Sequence, residues 1–394
     1  MMNRPYHLHI LMCIILVAMV LQSCTKEDIK HLPDPELERI IEADITDQAI
    51  LSVSHENPDG PTGAEGSAKL VDGDTTSKYL IKDFSSAHID FQFDTAKLVA
   101  SYEFTTGNDF DGRDPLSWKL MGSNDGEQWT ELDSRVGMQF RQRRNSYRFY
   151  FQNEQMYTHY RWAISEVYGA DMFQASEFRL IQMPPSAQMH QPVSRVDSTE
   201  NNGLKLIFVN HSATDQLAYQ ERLTQTFFTT YPKLLEEYNP EALKRVYFIV
   251  DPTYDGVAYS FGDVIVFGYD YMEENPLDGD VVVHETMHKI QADYKGNVPG
   301  WLKEGMADFA RERFGVDDPD AWSLPDFSPD HNYDGSYGIT ARYLLWIESH
   351  KKEGFVKELN QALLNGIGFE DFWQQTLGQT IQELWSEYAQ NPEL

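Results

Sequence analysis

Residues 284–288 read His-Glu-Thr-Met-His, and no other stretch limits so tightly what this chain can fold into. Two histidines four apart on a helix point about 40° from each other around its axis, so both imidazoles can reach one metal ion. The glutamate between them is then positioned to act on a water. The pattern demands a helix, and its neighbours agree. Val281, Val282 and Val283 precede it, and Met287 and Ile290 continue an apolar face, as in a helix crossing a core. Metal-assisted hydrolysis of a peptide bond is the first chemistry such a helix suggests.

The third ligand decides the subtype. In the extended form of the pattern a glycine and a third histidine follow, but Gln291 and Tyr294 stand at those positions. Further on, residues 299–311 (PGWLKEGMADFAR) open with Pro-Gly and carry Glu304 and Asp308 four apart on a second helix. One carboxylate can ligate the metal while the other receives the second N–H of a ligand imidazole.

These segments, HETMHKIQ (284–291) and PGWLKEGMADFAR, followed by YGITARYL (337–344), resemble the basic secretory protein family of zinc peptidases. The resemblance covers the chain from about residue 202 onward and implies a gluzincin-like site. It makes His284, His288 and Glu304 the ligands of one catalytic Zn²⁺, Glu285 the general base and Asp308 the acceptor behind a ligand histidine. Gluzincins commonly add a Tyr or His that donates to the developing oxyanion. Tyr337 is the candidate, with His331 and Tyr333 as alternatives. One departure from the family's name is plain, because this chain is acidic.

Its 62 acidic residues against 32 basic ones give a formal net charge of −30. Such a surface repels a phosphate backbone, so nucleic acid is excluded as a partner. After Arg4 an apolar run over 10–21, too short for an ordinary span, ends in Leu21-Gln22-Ser23-Cys24. This resembles a bacterial lipobox and implies a signal peptide over 1–24 with lipid on Cys24. The only cysteines are Cys13 and Cys24, so a processed chain has no disulfide. Residues 25–45, interrupted by Pro33 and Pro35, read as a tether. Lys26-Glu27-Asp28 resembles the acidic signals that send lipoproteins to the outer face of the bacterial outer membrane. A periplasm-facing anchor is the alternative.

From 46 to 183 short alternating runs such as HIDFQF (88–93) are separated by turn clusters, the texture of a β-sandwich. Four dispersed segments, 70–76, 114–129, 160–162 and 175–180, resemble the discoidin or coagulation factor 5/8 type C module, also used as a carbohydrate-binding domain. Trp118 and Trp129 are expected in its core. Candidate ligand contacts lie in the loops 105–114, with Asn108, Asp109, Asp111 and Arg113, and 168–173, with Tyr168 and Phe173. The resemblance also implies a structural Ca²⁺ site from Asp72, Asp74 and Thr76, closed by Glu177. The competing reading of that loop is an Asx-type turn satisfied by its own backbone.

Residues 184–201 read as a Pro-containing linker, which predicts few contacts between the halves. In 202–394 strands are expected at 204–209, 246–250 and 264–267. Helices are expected at 215–238, through the two motifs, and at 336–350, 355–365 and 370–389. The fold class is thus multidomain: an all-β discoidin-like sandwich followed by an α+β zincin-like metallopeptidase domain. The function expected is a surface-anchored zinc endopeptidase for protein or glycoprotein substrates, with a glycan ligand for the front domain and a lipid anchor in the membrane. The alternative is a non-catalytic, glycan-binding or adhesin lipoprotein.

Overall fold

The alternating texture of the N-terminal half becomes two facing antiparallel sheets. The computed structural model describes residues 34–316 and 321–394. The apolar run, Cys24 and residues 25–33 of the expected tether lie outside the described residues. No described helix is long and apolar enough to cross a membrane.

One sheet of the sandwich contains β2 (Ile50–Val53), β4 (Ala87–Lys97), β6 (Pro115–Ser123), β7 (Thr130–Arg135) and β9 (Tyr157–Val167), in the order β2-β4-β9-β6-β7. The other contains β1 (Ala43–Asp44), β5 (Val99–Thr105), β8 (Ser146–Tyr150) and β11 (Glu177–Gln182), in the order β1-β11-β5-β8. A short ladder of β3 (Tyr79–Ile81) and β10 (Phe173–Ala175) accompanies them. Along β4 the residues Ile89, Phe91 and Phe93 are buried while Asp90 and Gln92 are not, as a strand with one solvated face requires. Between the sheets, Trp162 stacks on Phe178 at 4.5 Å and Trp118 Nε1 donates to Tyr102 Oη at 2.8 Å. The buried indole therefore keeps a partner. Trp129 departs from the core expectation. Asp125 accepts the amides of Glu127 and Gln128, so a turn ends β6 and leaves Trp129 half-buried before β7, with the Arg161 guanidinium 4.1 Å from its ring centre.

The C-terminal half is built on a mixed sheet of β12 (Arg195–Asn201), β13 (Leu204–Asn210), β14 (Arg245–Asp251), β15 (Ala258–Phe261) and β16 (Val264–Gly268). Its order is β12-β13-β14-β16-β15. β13, β14 and β16 run parallel, and β12 and β15 are antiparallel edge strands. The strand β12 falls within the stretch expected to be linker. Asn202 and Gly203, with φ of 49° and 78°, form the two-residue turn that folds it back onto β13. Its side chains are mostly exposed and polar, so no apolar alternation marked it in the sequence.

The helices are α1 (Gln220–Glu237), α2 (Tyr269–Glu274), α3 (Val281–Gln291), α4 (Gly300–Phe314), α5 (Tyr337–His350), α6 (Phe355–Leu364), α7 (Phe369–Leu377) and α8 (Ile381–Gln390). The single helix expected over 370–389 is two helices. Gly378 turns left-handed after α7, and Thr380 with Glu383 forms a capping box that starts α8.

One face of the central strands, including Leu206, Phe208, Val246, Phe248, Ile265 and Phe267, packs into the helical core. The opposite face presents Ile207, Val209, Tyr247, Ile249, Val264 and Val266, and Leu116 and Tyr168 of the sandwich close over it. This corrects the expectation of few contacts between the halves. Strands with consecutive apolar residues have no face to leave in water. Each such side chain gains about 1.5–3 kcal/mol on burial, far more than a polar linker can offset. Around this patch Arg141 pairs with Asp251 at 2.9 Å, Arg245 with Glu166 at 2.9 Å, and the His211 ring meets the Gly137 carbonyl at 2.9 Å.

Candidate metal centre

Helix α3 is buried along most of its length, and it carries His284 and Glu285 with 7% and 5% of their surface exposed. Helix α4 crosses beside it and brings Glu304 against both histidines. The His284 Nε2 atom lies 3.3 Å from His288 Nε2 and 3.2 Å from Glu304 Oε2, and His288 Nε2 lies 3.5 Å from Glu304 Oε2. Among the described residues these three form the group able to hold a metal ion.

The opposite ring nitrogens explain why the three atoms converge. His284 Nδ1 donates to Asp308 Oδ1 at 2.6 Å, and His288 Nδ1 donates to Gln291 Oε1 at 2.8 Å. With Nδ1 turned outward, each Nε2 faces the shared centre, where a metal ion would take the place of a proton. Gln291 in turn donates through Nε2 to the Lys303 carbonyl at 2.9 Å, tying α3 to the start of α4. Sequence reasoning noted Gln291 only as a departure from the longer motif. Its spacing three residues after His288 on one helix face was the available signal.

The local field favours positive charge. Burial lowers the affinity of His284 for a proton, but its hydrogen bonds to Asp308 and Glu304 outweigh that and push it up to about 10. Burial raises Glu304, yet the two histidines hold it well below the ordinary carboxylate range. Glu285 is raised by burial, opposed by the histidines. Among the described residues its Oε2, although buried, has no hydrogen-bond partner. Two imidazoles, each oriented from behind, and the Glu304 carboxylate fit a divalent cation as the central charge.

These groups line a cleft of about 960 Å³. Its other walls include residues 257–262 of the β15 hairpin, Tyr254, Trp322 and Tyr337. Tyr337 opens α5 with a left-handed φ of 46°, and its ring lies 6.0 Å from that of His284, nearly parallel to it. It is 56% exposed. Burial, followed by the charges of Glu304, Glu285 and Asp308, raises its hydroxyl above the usual value, so it stays protonated and able to donate. The close approach of α5 to α4 depends on Gly305, where a Cβ would lie 2.2 Å from Thr340 Cγ2. His331 and Tyr333 are not part of this wall. His331 accepts from the Ser328 amide, and Tyr333 packs on Trp301 and Trp385. Tyr254, not singled out in the sequence, does line the cleft, and Glu285 contributes to raising its hydroxyl after burial.

The second candidate cation cluster is arranged differently. Asp74 Oδ1 accepts from the Thr76 amide at 2.9 Å and from Thr76 Oγ1 at 2.6 Å. Asp72 accepts from the Asp74 amide at 2.9 Å and from Lys69 Nζ at 3.0 Å. Glu177 meets Asp72 from β11 and is pushed up to about 7, by burial first and by Asp72 second. Of the candidate ligand-contact residues, Asn108, Asp109 and Asp111 are exposed, and Asp109 is paired with Lys78 at 2.8 Å. Arg113 reaches Asp109 at 3.3 Å. Phe173 is fully buried in the sandwich core, and Tyr168 is buried against the C-terminal half.

Residues 195–388 match the family model BSP, described as "Peptidase of plants and bacteria". No curated protein matches the chain. The N-terminal region resembles carbohydrate-binding modules in fold. One is "CpGH89CBM32-5, from Clostridium perfringens, in complex with GalNAc-beta-1,3-galactose", at 14% identity and TM-score 0.30, covering 35% of this chain and 99% of that one. Another is the family 32 module of Clostridium perfringens NanJ in complex with galactose, at 14% identity and TM-score 0.31, covering 36% and 100%. A third is the C-terminal domain of a chitobiase from Bacteroides fragilis, at 13% identity and TM-score 0.31, covering 36% and 98%.

Proposed function

We propose that the C-terminal half, matched by the model of a peptidase family of plants and bacteria, is a zinc-dependent endopeptidase. The observation that carries this reading is the convergence of His284 Nε2, His288 Nε2 and Glu304 Oε2 beside a partnerless Glu285 oxygen. Two imidazoles and a carboxylate suit zinc, which when bound acidifies water and polarises a carbonyl. Glu285 takes the proton from the attacking water and hands it to the leaving amine. Asp308 and Gln291 hold the ligand imidazoles in one tautomer throughout. Tyr337 donates to the oxygen on which negative charge develops. Among the described residues no strand pairs with the outer edge of β15, and it offers backbone groups along which an extended substrate can lie as an added strand.

The wider setting is part of the same proposal. Lipidation at Cys24 rests on the lipobox-like sequence, and attachment to the outer membrane on the Lys26-Glu27-Asp28 that follows it. Glycan capture by the sandwich rests on the resemblance of its own segments and on the exposed 108–111 stretch, since Tyr168 and Phe173 are committed to packing. Calcium binding at Asp72 and Glu177 is supported by the buried, unpartnered Glu177 Oε1.

Digestion of a proteome-derived peptide library, with and without chelator, followed by mapping of the cut sites, tests the central reading. Chelator-sensitive cleavage at a consistent sequence is expected. No cleavage by the metal-loaded wild type would sink it, and would favour the adhesin alternative.

A further inference from the structure

The wall of the cleft opposite α3 is the hairpin β15–β16, and it is gripped from two sides. From within the peptidase half, Lys289, the residue after His288, donates through Nζ to the carbonyls of Gly262 at 2.9 Å and Val264 at 2.7 Å. From the sandwich, the loop that follows β9 reaches the same turn. The Tyr168 ring stacks on Phe261 with centroids 5.1 Å apart and planes 22° from parallel, and its hydroxyl donates to Tyr259 Oη at 3.3 Å. Tyr259 Oη in turn donates to Gln139 Oε1 at 2.6 Å. Next to Tyr168, Gly169 lies against Gly262 backbone to backbone. A Cβ on Gly262 would come 2.8 Å from Gly169 Cα, and one on Gly169 would come 3.0 Å from the Phe261 ring.

We propose that Tyr168 and Gly169, in the sandwich, are positioning residues for peptide hydrolysis, because they hold the cleft-lining strand β15 in register against α3. This rests on the peptidase reading given above. β15 is four residues long and pairs with the sheet along one edge only, which puts it at the low-stability end of the fold. A substrate added to its other edge needs that strand held in place, since a loose edge strand must first be ordered before a peptide backbone can pair with it, and that ordering is subtracted from the binding free energy. Tyr168 and Gly169 do not line the metal cleft themselves; Tyr168 lines an adjoining pocket of about 360 Å³ that shares Tyr254, Tyr259, Ser260 and Phe261 with the cleft, and its contacts toward the cleft are those to Phe261 and Tyr259 of β15. The sandwich is then a fixed part of the catalytic half and not only a tethered recruiter. Its contribution should appear in substrate binding and not in the chemical step.

The test uses the metal-loaded full chain and compares wild type, Tyr168→Phe, Tyr168→Ala and Gly169→Ala. Tyr168→Ala is expected to raise KM for a mapped peptide by about tenfold, the scale of one lost aromatic pair, with kcat within about twofold and metal content unchanged. Gly169→Ala should act in the same direction, and Tyr168→Phe, which keeps the stack, should stay near wild type. Amide exchange should quicken at 257–264 and stay constant at 281–291. The proposal is overturned if Tyr168→Ala leaves KM and exchange at 257–264 unchanged. It is equally overturned if exchange rises evenly across the chain, since that is a general loss of stability. A wild-type chain that cleaves no peptide would instead bring down the peptidase reading itself.

Discussion

At His284, His288 and Glu304 the converging atoms have no better partners than one another. At Asp72 and Asp74 the carboxylates are already occupied by donors of their own turn, Thr76 among them, and by Lys69. The first cluster spans two helices whose other contacts bring the ligand atoms of His284, His288 and Glu304 together in a field that favours positive charge, and a cation suits that arrangement. In the second, Asp72, Asp74 and Thr76 are local in sequence and their own backbone supplies hydrogen bonds, while Glu177, reaching in from β11, keeps a buried oxygen without a partner among the described residues. Proximity of acidic and imidazole groups is therefore a weaker sign of a metal than donors oriented from behind and left free in front.

The sharpest way to break this contrast is at the metal helix. His284→Ala should lose both bound metal and activity. Glu285→Gln should keep the metal and lose about 10²–10⁴ in kcat, the range of a general base, as read by metal analysis beside steady-state kinetics. Full turnover in Glu285→Gln would end the proposed mechanism. Tyr337→Phe should cost on the order of 10² in kcat with metal content and Tm unchanged, the scale of one oxyanion donor. A near-normal kcat would move attention to Tyr254. Asp308→Ala should weaken metal affinity by about 10–100-fold in a chelator competition, because the His284 imidazole loses its orienting partner.

The acidic loop should respond less. Asp72→Ala is expected to lower Tm by a few degrees only when calcium is supplied. Equal losses in chelator and in calcium would leave a turn and no site. Glu177 sharpens this further. Its folded carboxyl is raised to about 7 from an ordinary value near 4.5, so the folded state binds the proton more tightly than the unfolded one. Stability should then fall as pH rises from about 4.5 to 7 and level off above that, a slope that Glu177→Gln removes. Calcium bound by the ionised Glu177 would flatten the same slope in the wild type.

Much of this protein was legible because its signals are periodic or short-range. The i, i+4 spacings place His284 with His288, and Glu304 with Asp308, on single helix faces, and strict alternation in 88–93 specifies a strand. Other short-range signals were present and passed over. Asn202-Gly203 marks the hairpin that makes 195–201 a strand, and Gly378 with Thr380 and Glu383 marks the break between α7 and α8.

What the chain alone could not decide is which surfaces meet. The runs LIFV (206–209), VYFIV (246–250) and VIVF (264–267) declare that both faces of the sheet are buried, but not that the sandwich covers the second face. Nor does spacing tell that Tyr168, ninety residues before the start of β15 in the chain, stacks on Phe261, or that Tyr337 rather than His331 reaches the cleft. Local sequence determines the dihedral angles and the faces of each element through sterics and hydrogen bonding. Which face meets which depends on excluding water from all of them at once, and that is a property of the assembled chain.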